Sequence, residues 1–91
     1  MNPVELVFMS IPIDNAKILI TVNLHGVFRI NRFKKDVRTY HEGCSVQTIL
    51  DDLCIPESLL GTILVNDKYS TAGAILSSGD VLILLPFLDG G

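Results

Sequence analysis

Few residues in this chain of 91 could do chemistry, and their spacing is poor for it. The two histidines are His25, beside Gly26, and His41, two residues before Gly43, positions that read as turn or surface. Glu42 follows His41 directly, but a single adjacent carboxylate does not make a catalytic pair. Asp51 and Asp52 are neighbours in a helical stretch, and adjacent helical side chains do not face each other. Cys44 and Cys54 lie ten apart with no Cys-x-x-Cys and no paired histidine, so neither a zinc site nor a disulfide framework is expected. Buried thiols in a reducing cytoplasm are the expectation. Phosphate loops, nucleophile elbows and zinc-protease motifs are absent from the sequence.

The end of the sequence is different. It reads Leu85-Pro86-Phe87-Leu88-Asp89-Gly90-Gly91. At an average glycine frequency near 7%, two terminal glycines arise by chance in about 0.5% of chains. A frayed end would tolerate them. A carboxylate that must thread a narrow channel into another protein's active site would need them, because glycine has no side chain and opens torsions closed to other residues. Pro86 would stop the last strand and start an extended arm. The expected reactive group is therefore the α-carboxylate of Gly91, activated by another protein.

The elements that would carry this tail can be read from periodicity. Ile18, Ile20, Val22 and Leu24 alternate with Lys17, Leu19, Thr21 and Asn23, which predicts a strand with one buried face. His25-Gly26 is a turn, followed by a second strand over Val27–Phe33 or Val37–Tyr40. Val46, Ile49, Leu50 and Leu53 form a helical stripe, with Ser45 as N-cap and Cys44 placed to staple against Ile49. Pro56 is expected to end that helix, with Gly61 closing a short segment after it. Thr62 to Val65 is a third strand, Asn66-Asp67 a turn and Ser77 to Asp80 another, before a final strand over Val81 to Leu85. Strand, strand, helix, strand, short strand, strand predicts an α+β, β-grasp-like roll: a mixed sheet of four to five strands with one main helix on one face.

Residues 1–16 stand apart as an N-terminal arm, read either as flexible or, from the alternation of Val4, Leu6 and Phe8, as an extra edge strand. Residues 17–91 form the domain, with its tail over 86–91.

Apolar residues make up 48% of the chain and charged residues 19%, which excludes disorder but leaves an apolar surplus to explain. A chain this short buries only about 64% of its unfolded surface, enough for one core and too little for a two-domain cleft enzyme. A membrane does not explain the surplus. The run from Val81 to Leu88 includes Pro86 and falls far short of the ~20 residues of a spanning helix. No Lys or Arg precedes Lys17, so a basic signal-peptide start is missing and a cytoplasmic location is expected. The net charge of -3 disfavours nucleic acid. The surplus concentrates in Val81 to Leu85, apolar on both faces. Such a strand is either central and doubly covered or presents its second face to a partner, and with one helix the partner patch is preferred.

Over residues 17–91 the chain resembles the MoaD/ThiS family of ubiquitin-like sulfur carriers. The resemblance rests on Glu42-Gly43-Cys44-Ser45-Val46 opening the helix and Leu50 through Leu53 to Ile55-Pro56 closing it. It continues through Val65-Asn66-Asp67, Gly79-Asp80-Val81 and the tail from Pro86 to Gly91. Asp67 stands where many members have Gly, and Phe87 where many have a second Pro. The resemblance implies a β-grasp carrier that is not itself an enzyme and binds no cofactor or metal. In that picture an E1-like enzyme uses MgATP to adenylate Gly91, and a sulfur donor converts the adenylate to a thiocarboxylate. The sulfur would pass to an acceptor such as a molybdopterin synthase large subunit or a thiazole synthase. The long first hairpin, residues 25–41, favours the MoaD-like form. A protein modifier or simple interaction module is the alternative. The family's docking face would place Leu85, Phe87, Tyr69 and Leu19 against the partner, with Pro86, Leu88, Asp89 and Gly90 leading to Gly91. Phe87 could instead be a core aromatic. The basic run Arg29, Arg32, Lys34, Lys35 and Arg38 reads as a solvated hairpin or as a second docking patch.

Overall fold

The computed structural model describes residues 16–87. Leu88, Asp89, Gly90 and Gly91, and residues 1–15 of the N-terminal arm, lie outside the described residues. Strand β1 (Lys17–Leu24) runs into a 3₁₀ turn (Gly26–Arg29), then β2 (Lys35–His41). Helix α1 (Val46–Asp52) and a second 3₁₀ turn (Glu57–Leu59) lead to β3 (Leu60–Val65), the two-residue β4 (Lys68–Tyr69) and β5 (Val81–Pro86). The sheet order is β2-β1-β5-β3-β4. Strands β1 and β5 are parallel at the centre, and every other pairing is antiparallel. This mixed five-stranded sheet with one helix is the ubiquitin-like β-grasp fold.

One face of the sheet forms the core. Ile20, Val22 and Leu24 of β1 and Leu82 and Leu84 of β5 are fully buried against Val46, Ile49 and Leu50 of α1. The β1 alternation therefore reads as predicted, apolar side chains inward and their neighbours outward. The Ser45 cap is also present as a capping box: the Ser45 hydroxyl accepts from the Thr48 amide, and the Thr48 hydroxyl accepts from the Ser45 amide.

Several expectations are corrected. Of the two segments proposed for the second strand, Val27–Phe33 does not form one. Gly26 sits at φ +55, and the chain coils into a 3₁₀ turn that drives Phe28 into the core. The strand begins instead at Lys35. The helix stops at Asp52, before Pro56 can act. Cys54 takes a left-handed φ of 55, its amide donating to Asp51 O and the Ile55 amide to Leu50 O. That is a Schellman ending, sealed by the buried pair Leu50 and Ile55. Gly61 lies within β3 and closes nothing. Cys44 is buried as expected, but Cys54 is exposed.

The basic run is dispersed into the fold. Arg29 Nε donates to Leu24 O at 2.7 Å. Arg32 reaches the carbonyls of Leu53 at 2.8 Å and Cys54 at 3.0 Å, capping the end of α1 across 21 and 22 residues of sequence. Arg38 pairs with Asp36 and Asp52 and stands 5.2 Å from the Phe33 ring centroid. Three of the five cations thus have intramolecular work, which leaves Lys34 and Lys35 as the pair on an exposed hairpin.

Candidate functional site: an open sheet face and the root of the tail

The second face of the sheet is uncovered. Register places Leu19 opposite Thr39, Thr21 between Val37 and Val81, Ile83 between Asn23 and Leu64, and Leu64 opposite Tyr69. Leu85 stands opposite Thr62. Side chains directly opposite each other share a face. The result is an open face with apolar residues from all five strands, a band that is continuous over Ile83, Leu64 and Tyr69 and interrupted on β1 and β2 by Thr21, Asn23 and Thr39. At its margins Leu19 is 53% exposed, Val37 58% and Tyr69 86%. In the middle, Val81, Ile83, Leu85 and Leu64 are half-buried by their neighbours.

Strand β5 is central in the sheet but not doubly covered: only its Leu82 and Leu84 side is buried, so of the two descriptions offered for it the one with an open second face holds. Leu19, Leu85 and Tyr69 share the open face but are spread along it: Tyr69 lies level with Ile83, Leu85 lies near the tail, and Leu19 lies beside Ser78 and Gly79 before β5 begins. Phe87 follows the same alternation one step beyond β5 and is 64% exposed, so it is no core aromatic. Val37 and Ile83 belong to the band but were not picked out from sequence. The signal was available, since Ile83 shares parity with Leu85.

The place where the tail leaves is narrow. The Phe87 amide donates to Leu59 O at 2.7 Å. Pro86 pairs with Leu60, and the ladder then slips at Gly61, so that Leu85 pairs with Thr62. Gly61 is the extra residue of this bulge, a position where strand glycines allow close backbone approach. A Cβ on Gly61 would lie 2.8 Å from Phe87 Cα and 2.9 Å from Pro86 O. On the other flank of β5, a Cβ on Gly26 would lie 3.0 Å from Pro86 Cγ.

At the far end of β5 a clasp sets its start. Asn66 Nδ2 donates to Asp80 Oδ1 at 2.9 Å, and the Val81 amide donates to Asn66 Oδ1 at 2.9 Å. Asp80 Oδ2 accepts from the Ser77 amide at 2.8 Å. The two short motifs Val65-Asn66-Asp67 and Gly79-Asp80-Val81 are thus one structural unit.

The titratable groups inside the domain serve as ties. Tyr40 donates to Asp52 Oδ2 at 3.0 Å and accepts from Arg38 Nε at 3.1 Å, joining β2 to α1. Burial pushes the Tyr40 phenol up to about 12, so it stays protonated at neutral pH. Burial likewise raises the Cys44 thiol, which keeps it from thiolate character. Among the described residues no group of three or more His, Cys, Asp or Glu side chains could hold a metal ion. Among them, too, no helix is long and apolar enough to cross a membrane.

No family model matches this sequence, and no curated protein matches it. Solved structures do match its fold. SAMP1 from Haloferax volcanii superposes with a TM-score of 0.64 at 18% identity, covering 80% of this chain and 99% of that one. The Pyrococcus furiosus protein assigned as molybdopterin converting factor, subunit 1, gives 0.65 at 20% identity, covering 78% and 99%. The complex of subunits 1 and 2 of molybdopterin-converting factor from Helicobacter pylori contributes a chain that matches at 0.56 and 22% identity, covering 81% and 100%. At these identities the likeness defines a shared ubiquitin-like β-grasp fold.

Proposed function

We propose that this protein is a sulfur carrier, loaded at the Gly91 carboxylate by an E1-like adenylating enzyme that uses MgATP. The observation that carries the reading is the open apolar band of Leu19, Ile83, Leu85 and Tyr69, which runs along β5 to the root of a tail written Asp89-Gly90-Gly91. A partner seated on the band would lie beside Phe87, where the tail begins.

The chemistry asks little of the carrier. A Gly91 carboxylate oxygen attacks the α-phosphorus of ATP and pyrophosphate leaves, converting a poor electrophile into an acyl-adenylate. A sulfide-level nucleophile then displaces AMP to give a C-terminal thiocarboxylate, whose sulfur is ionised at neutral pH and nucleophilic as a thiolate is. The carrier supplies reach and docking. Tyr40 and Cys44, both held protonated, take no part.

The acceptor we favour is a molybdopterin-synthase-type large subunit, with a thiazole-synthase-type enzyme as the second candidate. The likeness to subunit 1 in the Helicobacter pylori complex with subunit 2 supports the first. The likeness to SAMP1, a ubiquitin-like small archaeal modifier, favours a second reading in which the activated tail forms isopeptide bonds. A cytoplasmic location fits either reading.

The test is ATP–pyrophosphate exchange with the organism's own E1-like enzyme. The full chain should support exchange and the chain lacking Gly91 should not, with both melting alike. Exchange that persists without Gly91 would refute the assignment of the reactive carboxylate.

A further inference from the structure

We propose that Gly61 and Gly26 are positioning residues that fix the direction in which the chain leaves the sheet at Phe87, and that any side chain at 61 misdirects it. The inference rests on the reading of the tail as the loaded group.

Strand β5 has a neighbour on each side at its exit: β3 carries Gly61 on one, and the turn after β1 carries Gly26 on the other. Both glycines face the Pro86-Phe87 root closely, while Gly43, Gly73 and Gly79 have nothing within 4 Å of an added Cβ. Among the described glycines, closeness to the tail root is therefore confined to the two that flank it. The atoms opposing Gly61 are backbone, Phe87 Cα and N and Pro86 O, which cannot rotate aside as a side chain would. Moving from 2.8 Å to the 3.4 Å where ordinary contact begins requires β3 and the tail root to separate by 0.6 Å. It also pulls on the 2.7 Å bond from the Phe87 amide to Leu59 O, the last hydrogen bond before the tail. Catalysis on a threaded carboxylate is sensitive to this, since misplacement of about 1 Å can cost about 10²-fold in rate. Docking is less sensitive, because Leu19 and Tyr69 lie on strands away from the bulge and only Leu85 and Phe87 of the docking face adjoin it.

The experiment compares the full-length chain with Gly61→Ala and Gly26→Ala, using Gly73→Ala as a control with open space around it. Two readouts are taken: ATP–pyrophosphate exchange with the E1-like enzyme and MgATP, and amide hydrogen exchange at Phe87 by NMR. Gly61→Ala should lower kcat by about tenfold or more with KM unchanged within about twofold. The Phe87 amide should lose protection while the amides of Leu82 and Leu84 keep theirs. Gly26→Ala should act in the same direction, and Gly73→Ala should leave kcat and Phe87 unchanged. Unaltered kcat and a protected Phe87 amide in Gly61→Ala would overturn the proposal, as would a rise in KM at constant kcat. If the unsubstituted chain supports no exchange, the sulfur-carrier reading fails. The Phe87 amide still decides whether Gly61 sets the tail root.

Discussion

Replacing Tyr69 by alanine separates docking from folding. Tyr69 is 86% exposed on the two-residue strand β4, opposite half-buried Leu64. Little of its ring is withdrawn from water in the free protein, so Tyr69→Ala should alter folding stability by no more than about 0.5 kcal/mol, the usual range for surface sites. A docked partner changes that balance. An aromatic side chain buries roughly 150–250 Å² when fully covered. If a partner covers half of that area, burial at about 25 cal/mol per Å² amounts to about 2–3 kcal/mol. A loss of about 2 kcal/mol weakens binding by about 30-fold. Urea denaturation should therefore give a nearly unchanged midpoint, while calorimetric titration against the E1-like enzyme gives a Kd raised by about 30-fold. Leu19→Ala, at the other margin of the band, should act in the same sense with a smaller effect. Unchanged affinity in both variants would refute the assignment of the sheet face as the docking surface. A large loss of stability in Tyr69→Ala would refute the reasoning from its exposure.

Three further expectations concern the scaffold. Asn66 and Asp67 both take left-handed φ, 52 and 68, between β3 and β4, a turn that prefers Asn-Gly. Asp67→Gly should therefore raise the urea-derived stability by about 0.5–1 kcal/mol, because a side chain in that region costs ~1–2 kcal/mol and glycine's extra unfolded-state entropy recovers only part of it. Arg32→Ala leaves the Leu53 and Cys54 carbonyls at the end of α1 without their guanidinium, and should cost about 2 kcal/mol in the same assay. Tyr40 gives a pH dependence. Burial pushes its phenol up to about 12 from the ordinary tyrosine value of 10.0, so the native state holds the proton more tightly than the unfolded chain. The contribution of Tyr40 to stability is complete below 10.0 and is lost as pH climbs towards 12, and Tyr40→Phe should remove that part of the decline in thermal melts taken across the interval.

The parts of the fold legible in sequence were those specified by neighbours a few residues apart. The alternation of Ile18, Ile20, Val22 and Leu24 and the stripe of Val46, Ile49 and Leu50 each announce one buried face, and both faces meet in the core. Segment 27–33 was ambiguous because Val27, Phe28, Ile30 and Phe33 are as apolar as a strand. The left-handed Gly26 and the burial of Phe28 decide for a 3₁₀ turn, and neither is a local pattern. The helix end was misplaced because Cys54 is an unusual residue for a left-handed cap, whereas Pro56 is a familiar stop. The basic run looked like a patch because the acceptors of Arg32 lie 21 and 22 residues away, beyond any periodicity.

The site divides in the same way. The apolar pattern of β5 showed only that both of its faces are apolar, and matching to the carrier family supplied Leu85, Phe87, Tyr69 and Leu19. Gly61 passed as a segment boundary because its importance comes from Phe87, 26 positions later in sequence, crossing within 2.8 Å of its missing Cβ. Part of the apolar surplus of the composition lies on the open face, in Leu19, Val37, Ile83, Leu85 and Tyr69, while Val27, Ile30, Leu59 and Ile75 are exposed elsewhere. A small domain needs one face of its sheet for its core, and this one has apolar residues on both.

The central claim is that Gly91 becomes a thiocarboxylate, and intact mass after incubation with the E1-like enzyme, MgATP and sulfide tests it most directly. Replacement of one oxygen by sulfur should add about 16 Da, and alkylation of the ionised sulfur should trap it. A chain that returns at its original mass while ATP is converted to AMP and pyrophosphate would contradict the sulfur-carrier account. Covalent adducts of this chain on lysines would point to the modifier instead.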